Sequence, residues 1–314
     1  MGLTIGVDIG GTKVLGGVVD DGGMVLATTR RPTPADDVAQ TRDVIVEVVR
    51  ELAEGRQIEA VGIGAAGWID ATRSTVLFAP NLAWRDEPLK QSVSSATGLP
   101  VVVENDANAA AWAEFRYGAA EDAEDSMVLY TVGTGIGGGI IMGGQLVRGA
   151  HGIAAELGHV QAVPGGHPCG CGRRGCIEQY ASGSALVRYA QSGAKDDQVA
   201  GAALLAKAGG EVGAITGPMV TEAAQAGDAV AIEAFRQTGT WLGVAMADMV
   251  QILDPQVIVI GGGVVEAGDL LLGPALASYS EQLAQRAKSP IAEVRPAKMG
   301  NTAGIVGAAD LARR

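Results

Sequence analysis

The first apolar runs of the chain are spaced for strands. Residues 3–8, 14–19 and 24–29 read as three strands joined by turns at Gly10-Gly11 and Asp20-Asp21-Gly22-Gly23. Val38, Thr41, Ile45, Val48 and Leu52 then recur at helical spacing, and the helix stops at Gly55. Residues 60–65 and 101–103 are short apolar strands, and 106–117 reads as a helix. The strand pattern restarts over 127–132, 138–142 and 145–147. Both meanders run strand, glycine turn carrying Thr, strand, Gly-Gly turn, strand, which reads as an internal duplication with a cleft between the halves. Beyond residue 150 the chain turns irregular, then mostly helical. Residues 221–253 hold the longest helical stretch, broken near Gly227-Asp228. Residues 257–260 form a buried strand that empties into Gly261-Gly262-Gly263 and opens a helix, and 302–312 reads as a closing helix. Strands alternating with helices imply an α/β fold. The expected division is a small α/β domain of residues 1–106 plus 301–314 and a large one of 107–300. No Pro- or Ser-rich linker separates them, so motion between them is expected to be a hinge.

Composition supports a packed core: of 314 residues, 47% are hydrophobic and 18% charged. The 47 glycines fall in short clusters between apolar runs, which suits tight turns and close backbone approach to ligands. A net charge of −12 without a basic stripe opposes binding to nucleic acid or to a membrane surface. No apolar run reaches the ~18 residues that span a bilayer, and no basic stretch or cleavage site marks a signal peptide. The expectation is a cytoplasmic protein with reduced thiols.

Three glycine loops suggest a nucleotide. Asp8-Ile9-Gly10-Gly11-Thr12 ends the first strand, where backbone amides and the Thr12 hydroxyl can meet a phosphate and Asp8 can hold Mg²⁺ through water. Lys13 beside them is a candidate for added charge, or a solvated lysine. Gly133-Thr134-Gly135-Ile136-Gly137-Gly138-Gly139 repeats the device; so many glycines cost a strand pair backbone entropy that a close ligand would justify. Gly261, Gly262 and Gly263 suit the adenosine and α-phosphate.

All three cysteines lie in Cys169-Gly170-Cys171-Gly172-Arg173-Arg174-Gly175-Cys176. Three thiolates this close, with glycines to bend the chain, suit tetrahedral Zn²⁺ with a histidine as fourth ligand. The chain offers His151, His159 and His167. Pro168 stiffens the approach from His167, which is also cramped beside Cys169. Spacing therefore favours His159 without settling the choice. Four protein ligands would make the site structural.

Glu104-Asn105-Asp106 sits where a strand hands over to a helix. Asp106 is either a helix cap or a carboxylate base of the kind phosphoryl transfer to an alcohol uses.

Taken together, Asp8-Ile9-Gly10-Gly11-Thr12, Glu104-Asn105-Asp106, Gly133-Thr134-Gly135-Ile136-Gly137, Glu156-Leu157-Gly158-His159 and the cysteine cluster with Glu178 resemble the ROK family (repressors, open reading frames, sugar kinases). Their order and spacing cover nearly the whole chain, and the likeness is nearest to the family's bacterial glucose kinases. The cysteine cluster followed by Glu178 is the most specific signal. The resemblance implies a two-domain, ribonuclease H-like ATPase fold of the actin type, with an interdomain cleft and a structural zinc site. It implies transfer of the γ-phosphate of ATP to the 6-hydroxyl of glucose, with mannose, fructose or an N-acetylhexosamine as other acceptors and polyphosphate as another donor. Asp106 matches the base, and Asn105, Glu156, His159 and Glu178 match sugar contacts. His159 would then also be the zinc ligand, and Gly67 and Asn81 would be further pocket positions. Thr134 and Gly135 join the nucleotide contacts, and related kinases form dimers or tetramers. A repressor of the family would need a DNA-reading segment ahead of the first glycine loop, where this sequence has seven residues before Asp8. An actin- or chaperone-like ATPase would not need Glu156, His159 and Glu178 gathered around a zinc.

Overall fold

A computed structural model describes residues 2–286 and 289–314. The first meander forms β1 (Leu3–Ile9), β2 (Lys13–Val19) and β3 (Val25–Pro32), paired antiparallel in sequence order. Helix α1 (Val38–Ala53) starts at Asp37, whose carboxylate accepts the Gln40 amide, and buries Ile45, Val48, Val49 and Leu52. Strand β4 (Ile58–Ala65) then returns parallel to β1. A small antiparallel sheet of β5 (Trp68–Ile69), β6 (Val76–Phe78) and β7 (Arg85–Glu87) follows, with α2 (Leu89–Thr97). Strands of two or three residues carry too little periodicity to be read from sequence. Strand β8 (Val101–Asn105) adds parallel to β4, completing a mixed sheet of order β3-β2-β1-β4-β8, and α3 (Asp106–Tyr117) leaves its end.

Glycine decides how this sheet is covered. Gly6 and Gly62 face each other across β1 and β4. A Cβ on either would fall on the carbonyl of Ile305 or of Ala308, in the C-terminal helix Ala303–Leu311. That helix therefore lies directly on the sheet backbone. It also packs beside α3, burying Ala113, Ile305, Val306 and Ala309 together.

The second meander is β9 (Met127–Val132), β10 (Ile136–Met142) and β11 (Gln145–Leu146). Strand β10 starts at Ile136, two residues before the expected 138. Gly137, Gly138 and Gly139 are thus strand residues, and Gly139 packs against Ala107 and Ala111 of α3. At Gly139 the missing side chain serves helix–strand packing, where the sequence had suggested a ligand.

Later in the chain, β12 (Val257–Gly261) pairs parallel with β13 (Glu293–Pro296). The long helix Ala229–Leu253 is capped by Asp228, which accepts the Ala231 amide, and packs on the helix Asp269–Gln282. The triple glycine opens a 3-10 helix, Gly263–Ala267, and the α-helix follows from Asp269.

The described residues group into two compact units. Unit 1 runs through Leu129, resumes over Gly138–Glu156 and closes with Ala297–Arg314; unit 2 holds Tyr130–Gly137 and Leu157–Pro296. These limits differ from the expected 1–106 with 301–314 and 107–300, because α3 packs on the C-terminal helix of unit 1. No helix among the described residues is long and apolar enough to cross a membrane.

Candidate functional site

In unit 1 the carboxyl ends of three parallel strands lie in register. Asp8 pairs with Gly64 and Gly64 with Glu104; Ile9 pairs with Ala65 and Ala65 with Asn105. Chemistry-bearing residues of β1, the segment after β4, and the β8–α3 junction are thereby brought to one edge, the usual place for a ligand on a parallel sheet. Asp8 also packs on the C-terminal helix, where a Cβ on Gly304 would stand 2.9 Å from the carboxyl carbon.

Asp106 is the first residue of α3, but it is not the cap. Asn105 is: its Oδ1 accepts the Asn108 amide at 3.0 Å, while its Nδ2 donates to the Gly67 carbonyl at 3.0 Å. The cap reading of Asp106 is therefore corrected, and the predicted sugar contact at Asn105 has a structural duty as well. Burial pushes the Asp106 carboxyl above the ordinary carboxylate range, against hydrogen bonds from the amides of Ala107 and Asp106 and from the Asn105 side chain. Asp8 is raised to about 6, first by burial and then by the charge of Asp106, with Lys13 pulling the other way. A carboxyl raised in part by a neighbouring carboxylate favours a cation or a proton beside it. Lys13 is thus close enough to be felt at Asp8.

The Gly10 amide, expected to serve a phosphate, is already spent on the Lys13 carbonyl at 3.0 Å. That leaves the amides of Gly11 and Thr12. Asn81 lies against Gly11, with its carbonyl 3.3 Å from where a Gly11 Cβ would be. Glu156 ends the segment 147–156 that follows β11.

In unit 2, His159, Cys169, Cys171 and Cys176 place their ligand atoms within 4.8 Å of one another. His159 Nδ1 faces Cys169 Sγ at 3.5 Å, and the sulfurs of Cys171 and Cys176 are 3.7 Å apart. His167 instead stacks on Tyr180, and His151 is no part of the group. Burial and the neighbouring thiols push Cys176 up to about 12, the electrostatic cost that a bound dication removes. Three sulfurs and an imidazole form a donor set that fits Zn²⁺. Glu178 lies beside the group, with Oε1 3.7 Å from Cys169 Sγ. Its Oε2 accepts the Ile136 amide at 3.0 Å and lies over Gly135.

A cavity of about 780 Å³ also lies in unit 2, lined by Thr134, Leu186, Val187, Pro218, Val264 and Ala267 among others. Of the expected nucleotide glycines, Gly133 and Gly263 line it; Gly261 ends β12, and Gly262, at φ 89°, lies against Val132. Ser184 donates its hydroxyl to the Thr134 carbonyl at 2.8 Å, and Gly183 its amide to Gly133 at 2.8 Å. Gly183, Ser184, Thr221, Glu222 and Gln225 line this cavity and were missed from sequence. The one available signal was Ser182-Gly183-Ser184, a small-residue helix start that Ser182 caps.

The profile of the ROK family matches residues 4–314. The chain belongs to the ROK family. It is 50% identical over 313 residues to a glucokinase of Streptomyces coelicolor, covering 100% of this chain and 98% of that protein. An N-acetylmannosamine kinase of Yersinia pestis is 35% identical over 84% of each chain. Among solved structures, a ROK family glucokinase of Streptomyces griseus in complex with glucose and AMPPNP superposes with a TM-score of 0.89 at 51% identity, covering 99% of each chain. The α/β mixed-sheet fold of this chain is that of the ROK sugar kinases.

Proposed function

We propose that this chain is an ATP-dependent glucokinase that transfers the γ-phosphate to the 6-hydroxyl of glucose, with Asp106 as the base. The observation that carries this reading is a buried carboxyl at the first position of α3 that has been relieved of capping by Asn105. A carboxylate kept above its ordinary range is a better acceptor for an alcohol proton, and phosphoryl transfer asks for that proton late. The near-half identity to full-length glucokinases supports glucose as the acceptor.

Asp106 orients the sugar hydroxyl and takes its proton. Asn105 holds the turn that aims it, through Gly67 and Asn108. Glu156, His159 and Glu178 are the further hexose contacts, each able to accept or donate to a ring hydroxyl. Gly11 and Thr12 offer amides to the phosphates, and the cavity beside Thr134 and Gly263 takes the adenosine. Asp8, a buried carboxylate close enough to Asp106 to be raised by its charge, is the residue that would hold Mg²⁺, which when bound neutralises phosphate charge. His159, Cys169, Cys171 and Cys176 would hold a structural zinc. The workplace is the cytoplasm.

The test is ADP release coupled to a hexose panel, comparing wild type with Asp106→Asn. Glucose should be the best acceptor, and the variant should lose at least about 10²-fold of sugar-dependent turnover while still binding ATP and glucose. Near-normal turnover by the variant would overturn the assignment of the base. A preference for N-acetylmannosamine, the second reading that the Yersinia relative motivates, would overturn glucose alone.

A further inference from the structure

Beside the Asn105–Asp106 turn lies an ion pair, with a buried carboxylate and a half-buried guanidinium, that the chemistry above does not use. Glu104 is 3% exposed. Its Oε1 accepts the Asn105 amide and the Asn108 side-chain amide, both at 3.1 Å. Its Oε2 accepts Arg148 Nε at 2.7 Å, with Arg73 Nε on the same oxygen at 3.6 Å. Arg73 is fixed from the other side, since it donates to the Leu311 carbonyl at 3.0 Å. One carboxylate therefore ties the catalytic turn to the start of the segment 147–156.

Arg148 also organises that segment through its main chain. Its carbonyl accepts the Ala154 amide at 3.1 Å, which closes the loop two residues before Glu156. Gly152, at φ 88°, presses the loop onto Ile69 and Asp70, where no Cβ would fit. Ala155 takes a left-handed φ of 67° without being glycine, a conformation that its surroundings must impose. From Arg148 to Glu156 the backbone is thus folded to a fixed shape, and the end that fixes it is bonded to Glu104.

We infer that Arg148 is a positioning residue for the sugar acceptor. Its pair with Glu104 registers the loop that ends in Glu156 against the turn that carries Asp106. A charge pair on a buried carboxylate is a poor source of stability but a good source of fixed geometry, because few arrangements satisfy the buried partner. A displacement near 1 Å at a reacting group can cost about 10²-fold in rate. The inference rests on Glu156 being a hexose contact.

The experiment measures KM for glucose and for ATP, with kcat, in Arg148→Met, Arg148→Lys, Glu104→Gln, the Arg148→Met/Glu104→Gln double variant and Glu156→Gln. Arg148→Lys keeps the charge and guards against a variant that fails to fold. The expected result is a glucose KM raised at least about 10-fold in both Arg148 variants, with the ATP KM within about twofold. The double variant should be no worse than the poorer single one, since each change breaks the same link. Equal rises in both KM values, an unchanged glucose KM, or additive losses in the double variant would each overturn the positioning role. If Glu156→Gln leaves the glucose KM unchanged, the hexose reading of Glu156 fails. If Glu156→Gln raises it and the Arg148 variants do not, only the present inference fails.

Discussion

Replacing Asp8 by Asn should make the protein more stable and less active, and the size of the gain can be worked out. Burial and the charge of Asp106 raise the Asp8 carboxyl from 3.8 to about 6. Between those values the folded chain binds the proton more tightly than the unfolded chain does. Stability therefore falls as pH rises through that window and stays low above it. At about 1.4 kcal/mol per pH unit, the ionised carboxylate costs the free protein about 3 kcal/mol at pH 8. An amide of the same shape escapes that cost, so Asp8→Asn should unfold several degrees higher than wild type at pH 8. The gain should shrink as pH falls through that window and approach zero below 3.8, where wild-type Asp8 becomes neutral in both states. Thermal or denaturant unfolding at pH 8 and pH 4, without nucleotide or Mg²⁺, measures both values. Mg²⁺ with a nucleotide analogue should then raise the wild-type midpoint more than the variant's, and turnover of the variant should fall at least about 10²-fold. A variant no more stable than wild type at pH 8, or equally favoured at both pH values, would refute the claim that Asp8 is held at an electrostatic cost.

Three further substitutions probe the frame around this edge. Asn105→Ala removes the α3 cap and the bond to the Gly67 carbonyl; it should cost about 1–2 kcal/mol in unfolding measurements and lower kcat as well. Asn105→Asp retains an oxygen for the cap and should recover most of the stability. Asp310 accepts Trp112 Nε1 at 2.7 Å and the Tyr117 hydroxyl at 2.8 Å. Burial alone would raise its carboxyl, but these bonds and Arg314 outweigh it and hold the group below 3.8. Asp310→Ala should cost about 2–4 kcal/mol at pH 7. The wild-type contribution is present above pH 3.8 and lost as pH falls through the lower folded value, so the two proteins should converge in acid.

What could be read in the sequence was what depends on local pattern. The helix over 106–117 and the strand over 127–132 fall where the sequence pattern put them, the strand because a short continuous apolar run bounded by turn signals suits a buried strand. The role of Asp106 was not legible locally: whether Asn105 or Asp106 caps α3 turns on a single ψ, with Asn105 extended at φ −66°, ψ 143°. Spacing could not choose among three histidines, but packing does, since Tyr180 takes His167. Glycine was the least transparent residue. Gly6, Gly62 and Gly139 admit a neighbouring backbone or side chain, and Gly10 spends its amide on a turn. A glycine needed for packing looks the same in sequence as one needed for a phosphate. The cavity-lining positions of 183–225 lie on the helices Gly183–Asp196 and Gly217–Gln225, and it is packing that decides which of their residues meet the cavity.

Glu178 offers the sharpest separation of metal from substrate. One of its oxygens faces Cys169 and the other holds the Ile136 amide beside Gly135. A carboxylate so placed either supports the metal cluster or spends its charge on a sugar hydroxyl. Glu178→Gln keeps the side-chain length and an oxygen to accept the Ile136 amide, while it removes the charge. If the four clustered ligands hold zinc by themselves, the variant should keep about one zinc per chain by elemental analysis. Its thermal midpoint should stay close to wild type, and its glucose KM should rise at least about 10-fold, as for a charged hydrogen bond lost. Cys171→Ser is the complement: it should lose zinc and unfold at a markedly lower temperature. Loss of zinc from Glu178→Gln would show that the carboxylate belongs to the metal site, and the sugar role would then have to be withdrawn.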